Sequence, residues 1–591
     1  HNALDDVRRC LASVVRYTRP PYSLILVDDA SGPETAAYLA RFAEEQGAAL
    51  ERNAEARGYT VAANQGLRRS AADYVVLLNS DTAVTPLPAG LTPADLAEAV
   101  AESAGRLYPR LAFLNGFCLL IRRRVLETVG LFDEAAFGAG YGEENDYALR
   151  ARAAGWRLAV ADDAYVYHAQ SRSYSHERRR QLSERAQAQL EAKHSRAVIA
   201  QGVAAAQADR VLAGARARLS AWLERRRLRE AGRARWEGRR LLIPLPVRGP
   251  GGGANVVIQE ALAMQAMGVE VTLLNLAELR AEFEAGYPGL RLPVQYVGAP
   301  DEIAALAARS DAVLATHNLS VGWLAAPDPR RWVRGYYIQD FEPWFFPEGS
   351  AARAEAQRSY TLWPDLVRVT KTEWTRRTVL AWAGVDCAVA GPSVDLDLFR
   401  PRPRRGPDWP RRPLRVAAMV RPESPRRQPE LTMEVLRAVA RAQGGRVEVV
   451  VFGVAPEHPA FRRLRRDFAF RNFGVLAPAG MAHLLNEVDL FADFSAFQAM
   501  GLTALEAMAC GAAVIVPAEG GSRSFARPEE NCLEADTRSV EACQSALERL
   551  ITDHDLRARL ARQALADAAR FHPEQAAFRV LSALWPEAGP C

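Results

Sequence analysis

Three carboxylates fall within four residues of "GYGEENDYALRARAAGW": Glu143, Glu144 and Asp146, at the opening of a helical pattern. A carboxylate within hydrogen-bond reach of a hydroxyl can take its proton during group transfer. The helix dipole favours acids at such a start in any case. "LILVDD" ends an apolar run in Asp28 and Asp29, acids able to accept hydrogen bonds from a nucleotide base and ribose. "YVVLLNSD" puts Asp81 at the end of a second run, where a carboxylate can bind a divalent cation bridging a diphosphate. "ADDAYVYH" presents His168 at a strand end. Each piece alone also reads as a turn, a cap or a structural histidine. Their order and spacing together say more than any one of them.

A second set lies further on. "GPGGGANVVIQEAL" (249–262) sets Gly252 and Gly253 before a helix, which suits a phosphate or an ordinary strand-to-helix turn. "RPESPRR" follows a strand and offers Arg421, Arg426 and Arg427. Paired guanidiniums suit a diphosphate, and solvated arginines are the alternative. In "FQAMGLTALEAMACGAAVIVP" a helix starts after Gly501, with Leu502 and Thr503 in its first turn and Glu506 one turn on. A ribose diol on Glu506 with phosphate at the helix start is physically coherent. His317, in "DAVLATHN", reads as a capped strand end or a cleft residue.

The elements that must position these groups alternate between strand and helix. Residues 1–170 read as a mostly parallel sheet with buried strands at 24–29 and 74–81 and a helix at 33–46. Ligands gather at the strand C-termini of such sheets. Residues 175–240 contain no Pro and read as helices closing the first domain and leading to the next. Within 171–240, 18 Arg and Lys face 7 Asp and Glu. That excess is either a solvated face or a surface for an anionic membrane. A second alternation starts near 239 and a third near 412, with the Pro/Arg-rich 400–413 as the expected hinge. The expected domains are 1–175, a basic helical linker at 176–237, then 238–400 and 401–591.

Composition excludes several classes. Of 591 residues, 49% are apolar and 25% charged, which rules out wholesale disorder, collagen and coiled coil. No run of about 18 apolar residues predicts a membrane span. "HNALDDVRRC" has no signal-peptide core. Seven scattered cysteines without a Cys-x-x-Cys pair point to a reducing compartment and no structural zinc. The net charge of +5 is almost all Arg, with only Lys193 and Lys371 as lysines.

"HNALDDVRRCLASV", "LILVDDAS", "GYTVAANQGL", "YVVLLNSDTAV", "NGFCLLIRR", the acidic string and "DDAYVYH" together cover nearly all of 1–175. This part resembles the inverting family 2 glycosyltransferases of the GT-A fold, especially bacterial rhamnosyltransferase-like members. The resemblance implies a nucleotide-sugar donor and Mg²⁺ or Mn²⁺ in this domain only. "NSD" stands where the family has Asp-x-Asp, with Asp81 as the metal-binding acid and His168 as a late metal or diphosphate contact. Glu144 takes the catalytic-base position, Glu replacing the usual Asp, with Glu143 as rival. The family has a strand before "HNA" and more residues between Asp81 and Asn115, so omitted segments are expected at both places.

The strings from 249 to 517 resemble the retaining family 4 glycosyltransferases of the GT-B fold. That likeness implies donor contacts at Gly252, Gly253, Arg421, Arg426, Gly501, Leu502, Thr503 and Glu506. Gln498 stands where the family has the first of two glutamates. "GYYIQDFEPWFFPEGS" (335–350) is similar to rhamnosyltransferases of surface glycans, and His317 matches a cleft histidine. No metal and no protein base are expected there.

The expected fold class is α/β, a GT-A domain, a helical linker and a GT-B pair of Rossmann-like domains. The expected function is a bifunctional glycosyltransferase moving sugar, rhamnose from dTDP-rhamnose being favoured, to a bacterial surface polysaccharide. The alternative is a catalytic GT-B half with a GT-A scaffold. The acceptor is expected to be a glycan or lipid-linked glycan, with a cytoplasmic location and peripheral contact at the membrane's inner face. A nucleotide-sugar dehydrogenase or epimerase would need Gly-x-Gly-x-x-Gly and Tyr-x-x-x-Lys, and neither is present. Nucleic acid is not an expected partner, because the basic segment interleaves few aromatics beyond Trp222 and Trp236.

Overall fold

Short runs of Val, Ile, Leu and Ala, most of them followed by a helix, give the C-terminal two-thirds of the chain its parallel sheets. The computed structural model describes residues 3–82, 93–138, 140–168, 176–299, 302–325, 332–403 and 412–586. Most of "TAVTPLPAGLTPADL" and of the expected hinge at 400–413 lies outside the described residues. The chain divides into two compact units, His1–Leu212 and Ala213–Cys591.

In the first unit, Ile25–Asp28 pairs in parallel with Ala49–Arg52. Tyr74–Leu78 pairs antiparallel with Cys118–Arg122, and Arg110–Leu111 antiparallel with Leu158–Ala159. The expected mostly parallel sheet is therefore corrected: one of these three pairs is parallel. A short apolar run carries no polarity, so both kinds of pair read alike in sequence. Tyr74–Leu78 is also not fully buried. Val75 and Leu77 pack on Leu67, Leu119, Ile121 and Phe132. Tyr74 and Val76, on the other face, are exposed, as the strand's two-residue period requires.

The second unit holds two parallel sheets. In the first, the order is Ala388–Val389, Val367–Thr370, Val333–Ile338, Ala312–Ala315, Arg240–Pro244, Glu270–Leu276, Val294–Val297. In the second it is Arg471–Asn472, Val447–Phe452, Leu414–Met419, Leu490–Ala492, Ala513–Pro517, Leu533–Ala535. Numbered within each lobe, the second reads 3-2-1-4-5-6, and the first reads the same with one further strand. This is the doubly wound Rossmann order. The α/β class and the two Rossmann-like lobes of a GT-B arrangement are thus present.

One boundary differs from expectation. Residues 401–591 do not all belong to the second lobe by packing. The last helix, Pro573–Leu584, returns to the first sheet, where Ala576, Ala577, Val580 and Leu581 join Leu241, Ile243 and Met264 in one core. An amphipathic face says that a helix packs, not on which sheet.

The basic segment is also used internally. Arg225 and Arg229, on the helix Arg210–Trp236, donate to the buried carboxylate of Glu574 at 3.1 and 3.0 Å. Trp222 and Trp236 are buried. For these residues neither the solvated face nor the membrane surface describes what they do. Burial opposes ionisation of Glu574, yet His572, Arg225 and Arg229 hold its carboxyl well below the ordinary range. A depressed carboxyl stabilises the fold above its unfolded pKa and loses that contribution as pH falls. Glu574→Gln should therefore lower the stability of the second unit at neutral pH, by about 3–5 kcal/mol for a broken buried pair. The gap from wild type should narrow below about pH 4. Thermal unfolding of the full chain across pH checks this; a gap that stays constant into acid contradicts it.

Candidate active sites

In the first unit a loop of three residues gathers the predicted groups. Asn79, at the end of the strand Tyr74–Leu78, donates its NH to the Phe117 carbonyl at 2.9 Å. Two residues on, Asp81 Oδ1 lies 3.2 Å from His168 Nε2. The His168 ring stacks on Phe117 at 4.9 Å, and Thr82 bridges to His168 across the backbone. The neighbouring Gly116 faces Glu144: a Cβ there would stand 3.3 Å from the Glu144 Cβ. Asp81, His168 and Glu144 are therefore brought to one loop from three distant segments.

The acid pair is set by an unusual approach. Gly140, Tyr141 and Gly142 all have positive φ, at 93°, 71° and 89°. Gly142 caps the helix Glu143–Ala153, and a side chain at Gly142 would press on Phe137 and Ala186 at 3.1 Å. Left-handed backbone at a non-glycine such as Tyr141 costs energy and collects at functional sites. One carboxylate oxygen of each of Glu143 and Glu144 is buried without a hydrogen-bond partner. Burial raises both carboxyls; Glu143, with the Glu144 charge as second cause, reaches about 8. Burial thus opposes ionisation of both, and a carboxyl raised in this way is the stronger base once ionised, with a free oxygen for a hydroxyl.

The third acid has a different task. Asp146 is fully buried, accepts from Arg150 Nε at 2.8 Å, and lies 2.9 Å from His194 and 2.8 Å from Lys193. It ties helices together. Asp28 requires a correction too. Only 2% exposed, it is occupied by the Arg52 guanidinium and the Ser31 NH rather than open to a nucleotide. Asp29 lies nearer the surface but accepts from the NH groups of Arg57 and Gly58 and from Asn53. Tyr59, which sequence reading passed over, lies half-buried within the fields of Glu143, Glu144 and Asp81. It opens the helix Tyr59–Arg69 in "GYTVAANQGL", and that string was the available signal.

Asp81 and His168 supply one carboxylate and one imidazole, both partly exposed. Among the described residues no third His, Cys, Asp or Glu joins a metal-binding group. This donor set would suit an open divalent-cation site. It does not fit a closed structural site.

In the second unit the switch points of both sheets open on one cleft of about 400 Å³. The helix Gly252–Ala266 follows the first strand of its lobe and is capped by Gly251. Gly252 lies opposite Leu502 and Gly253 opposite Gln339, with 3.8 and 3.7 Å to a hypothetical Cβ. His317 follows the fourth strand. Its Nδ1 accepts from the Leu319 NH at 3.3 Å, and its Nε2 lies 3.8 Å from Glu342. It is both a cap and a cleft residue. With Nδ1 accepting, the neutral ring carries its proton on Nε2, and burial favours that neutral form.

From the other lobe, Arg421, Arg426 and Arg427 line the same cleft. Burial lowers Arg421 and Arg427, and repulsion from Arg426 adds to it in both. An anion among them would offset that repulsion. Arg426 also donates to Asp340 at 2.6 Å. Gly501, at φ 84°, caps the helix Leu502–Ala509, whose first turn carries Thr503. Glu506, one turn on, is pushed up to about 8 by burial and then by the charge of Asp395. Gln498 is the exception among the expected contacts: its amide donates to Asp493 at 2.7 Å and to Ser495 at 3.0 Å.

Sequence reading missed two cleft residues: Asp493, which follows the fourth strand of its lobe, and Lys371, on the first-lobe wall. Glu342 lines the same wall, in the string 339–343 that sequence places near the cleft. Lys371 is fully buried and paired with Glu260. Its signal was available: it is one of two lysines in a chain that otherwise uses Arg.

Comparison with known proteins gives two families. Residues 1–110 match the model for glycosyl transferase family 2, and residues 96–186 match glycosyltransferase like family 2. Residues 414–553 match glycosyl transferases group 1. The chain is 30% identical over 311 residues to the O-antigen biosynthesis protein RfbC of Myxococcus xanthus, covering 52% of this chain and 23% of that protein. It is 32% identical over 173 residues to a D-inositol 3-phosphate glycosyltransferase of Mycobacterium bovis, covering 26% of this chain and 34% of that one. The chain thus spans about a quarter to a third of the length of these relatives. Among solved structures, Anabaena HepE in complex with UDP and glucose aligns over 58% of this chain and 99% of its own, at 17% identity and a TM-score of 0.49. The sucrose-phosphate synthase of Thermosynechococcus elongatus aligns over 57% of this chain and 96% of its own, at 17% identity and 0.43. The chain is a tandem of glycosyltransferase regions, family 2 at its N-terminal end and group 1 in its C-terminal half.

Proposed function

We propose that the chain is a bifunctional glycosyltransferase that moves sugar from nucleotide-sugar donors to a growing bacterial surface polysaccharide. One observation carries the reading. A glycine-rich helix start, three cleft arginines and a buried glutamate converge where two Rossmann-ordered sheets reverse direction. Such switch points are where nucleotide ligands bind in this architecture.

In the second unit Glu506 accepts hydrogen bonds from the ribose diol. The helix start at Gly501–Thr503 and Arg421, Arg426 and Arg427 take the diphosphate. Gly252 and Gly253 let backbone approach it from the facing lobe. His317 Nε2 donates to a sugar or acceptor hydroxyl. Transfer retains configuration, with the departing diphosphate oxygen taking the acceptor proton. Positioning and charge stabilisation are then the terms that the protein supplies.

In the first unit Glu144, or its neighbour Glu143, takes the proton of the acceptor hydroxyl. The freed oxygen attacks the anomeric carbon opposite the diphosphate, which leaves with inversion. Asp81 and His168 would hold Mg²⁺ or Mn²⁺, which when bound offsets charge on the departing diphosphate. The favoured donor is dTDP-rhamnose, on the likeness of residues 335–350 to surface-glycan rhamnosyltransferases. The acceptor is a glycan or lipid-linked glycan. Among the described residues no helix is long and apolar enough to cross a membrane. Contact with a membrane-borne acceptor is read as peripheral, on the cytoplasmic face.

A second reading keeps the first unit as a scaffold. Asp81 and His168 find no third metal-capable partner among the described residues, and Asp28 is enclosed. Nucleoside-diphosphate release from a nucleotide-sugar panel separates the two readings, with acceptor oligosaccharides present. An EDTA-sensitive activity lost in Asp81→Ala, and cut about 10²- to 10⁴-fold in Glu144→Gln, supports two active sites. A single EDTA-resistant activity, untouched by both changes, leaves the first unit non-catalytic. Glu506 gives a pH test. Its carboxyl is protonated below about 8, and the ionised form accepts the diol better. Nucleotide affinity should rise as pH climbs through 8 in wild type. Glu506→Gln should weaken binding about tenfold or more and flatten that rise; an unchanged slope removes Glu506 from the ribose.

A further inference from the structure

Beside the cleft of the second unit, three indoles and a phenyl ring face one another. The Trp344 centroid lies 5.9 Å from Trp374, 6.2 Å from Trp382 and 5.2 Å from Phe497. Trp374 and Phe497 stack at 5.4 Å. These rings line a second, open hollow of about 490 Å³, with Arg377 and Glu519 on its polar side. Trp382 is half exposed. Large aromatic rings left open beside a binding cleft mark a contact surface.

The hollow shares a wall with the cleft. The Arg426 guanidinium sits over Phe345 at 5.0 Å and over Phe497 at 5.6 Å. Arg426 and Phe345 line the cleft, and Phe497 lines the hollow. The three tryptophans belong to the first lobe, whereas Arg426 and Glu506 belong to the second. Phe497 and Glu519 come from the second lobe as well, so a ligand in the hollow lies between the two lobes, one side chain away from the cleft.

The chemistry of the lining selects the ligand. A pyranose ring has an apolar C–H face and a rim of hydroxyls. The indole faces suit the first, and the Arg377 guanidinium and Glu519 carboxylate suit the second. An acyl chain offers nothing to a guanidinium or a carboxylate. We propose that the Trp344–Trp374–Trp382 hollow is a glycan-binding platform that holds the acceptor chain beside the cleft. As an acceptor site it rests on the transferase reading above.

Calorimetric titration of the full chain tests it, with short linear rhamno-, gluco- and manno-oligosaccharides in one arm and UDP and dTDP in another. At least one oligosaccharide should bind saturably. Trp382→Ala and Trp374→Ala should each weaken it about tenfold or more, and Trp382→Phe should recover most of the loss. Nucleotide affinity should stay within about twofold in all three variants, which also reports that they fold. The platform is overturned if no oligosaccharide binds wild type, or if both alanine variants bind as wild type does. It is equally overturned if the tryptophans instead mediate binding to phospholipid vesicles. Oligosaccharide binding without any nucleotide binding leaves the platform in place and removes the transferase reading, so the two fail separately.

Discussion

The reversal of strand order in two parallel sheets is the constraint from which the second unit follows. A parallel strand can return to its neighbour only through a right-handed crossover. Where the order turns from 1 to 4, the loops leave in opposite directions and a gap opens between them. In the first lobe that gap lies between Arg240–Pro244 and Ala312–Ala315, and in the second between Leu414–Met419 and Leu490–Ala492. The glycine-rich turn and His317 stand at one, the arginines and Asp493 at the other. Residues far apart in sequence thus meet because backbone chirality leaves few other places for polar loops.

A gap alone does not fix a helix start, and a buried ion pair does that here. Glu260, on the helix that begins at Gly252, is fully buried and accepts from Lys371, Ser393 and Tyr337. Tyr337 lies in the strand Val333–Ile338, and Lys371 directly follows Val367–Thr370. Burial pulls the Lys371 ammonium down, and Glu260 opposes that. Such a pair adds little net stability, because desolvation offsets attraction. Losing one partner is costly, so any other register of the helix against the sheet is excluded. The pair therefore acts on position: it sets where the glycine backbone stands at the cleft wall.

What sequence made legible follows from this division. Strand-end acids, the glycine before Glu506 and the arginine cluster were readable because each is local: a residue type beside an element boundary. The pairing of Asp81 with His168 was readable through order along the chain. The enclosure of Asp28 was not, since its clamp, Arg52, comes from the neighbouring strand. The role of Asp146 was hidden in the same way, because its partners Lys193 and His194 lie on a later segment. The aromatic hollow was spelled out in part as "FEPWFF", yet its geometry needs Trp374 and Trp382 from one later helix and Phe497 from another stretch. Antiparallel pairing in the first unit was invisible for a simpler reason, that apolar runs do not encode direction.

The two candidate sites meet a diphosphate with opposite electrostatics. In the first unit Asp81, Glu143 and Glu144 surround Tyr59 closely enough for all three to oppose its ionisation. A doubly charged leaving group near these acids would be repelled at short range in a low dielectric. An intervening cation would remove that repulsion while leaving a carboxylate ionised to take the acceptor proton, which is why the proposed reaction there depends on a divalent ion. In the second unit Arg421, Arg426 and Arg427 repel one another, and Asp340 and Asp493 only partly balance them. There a diphosphate would itself supply the missing counter-charge. Chelation should therefore divide the proposed activities along the chain, since one site must recruit its positive charge and the other has it built in.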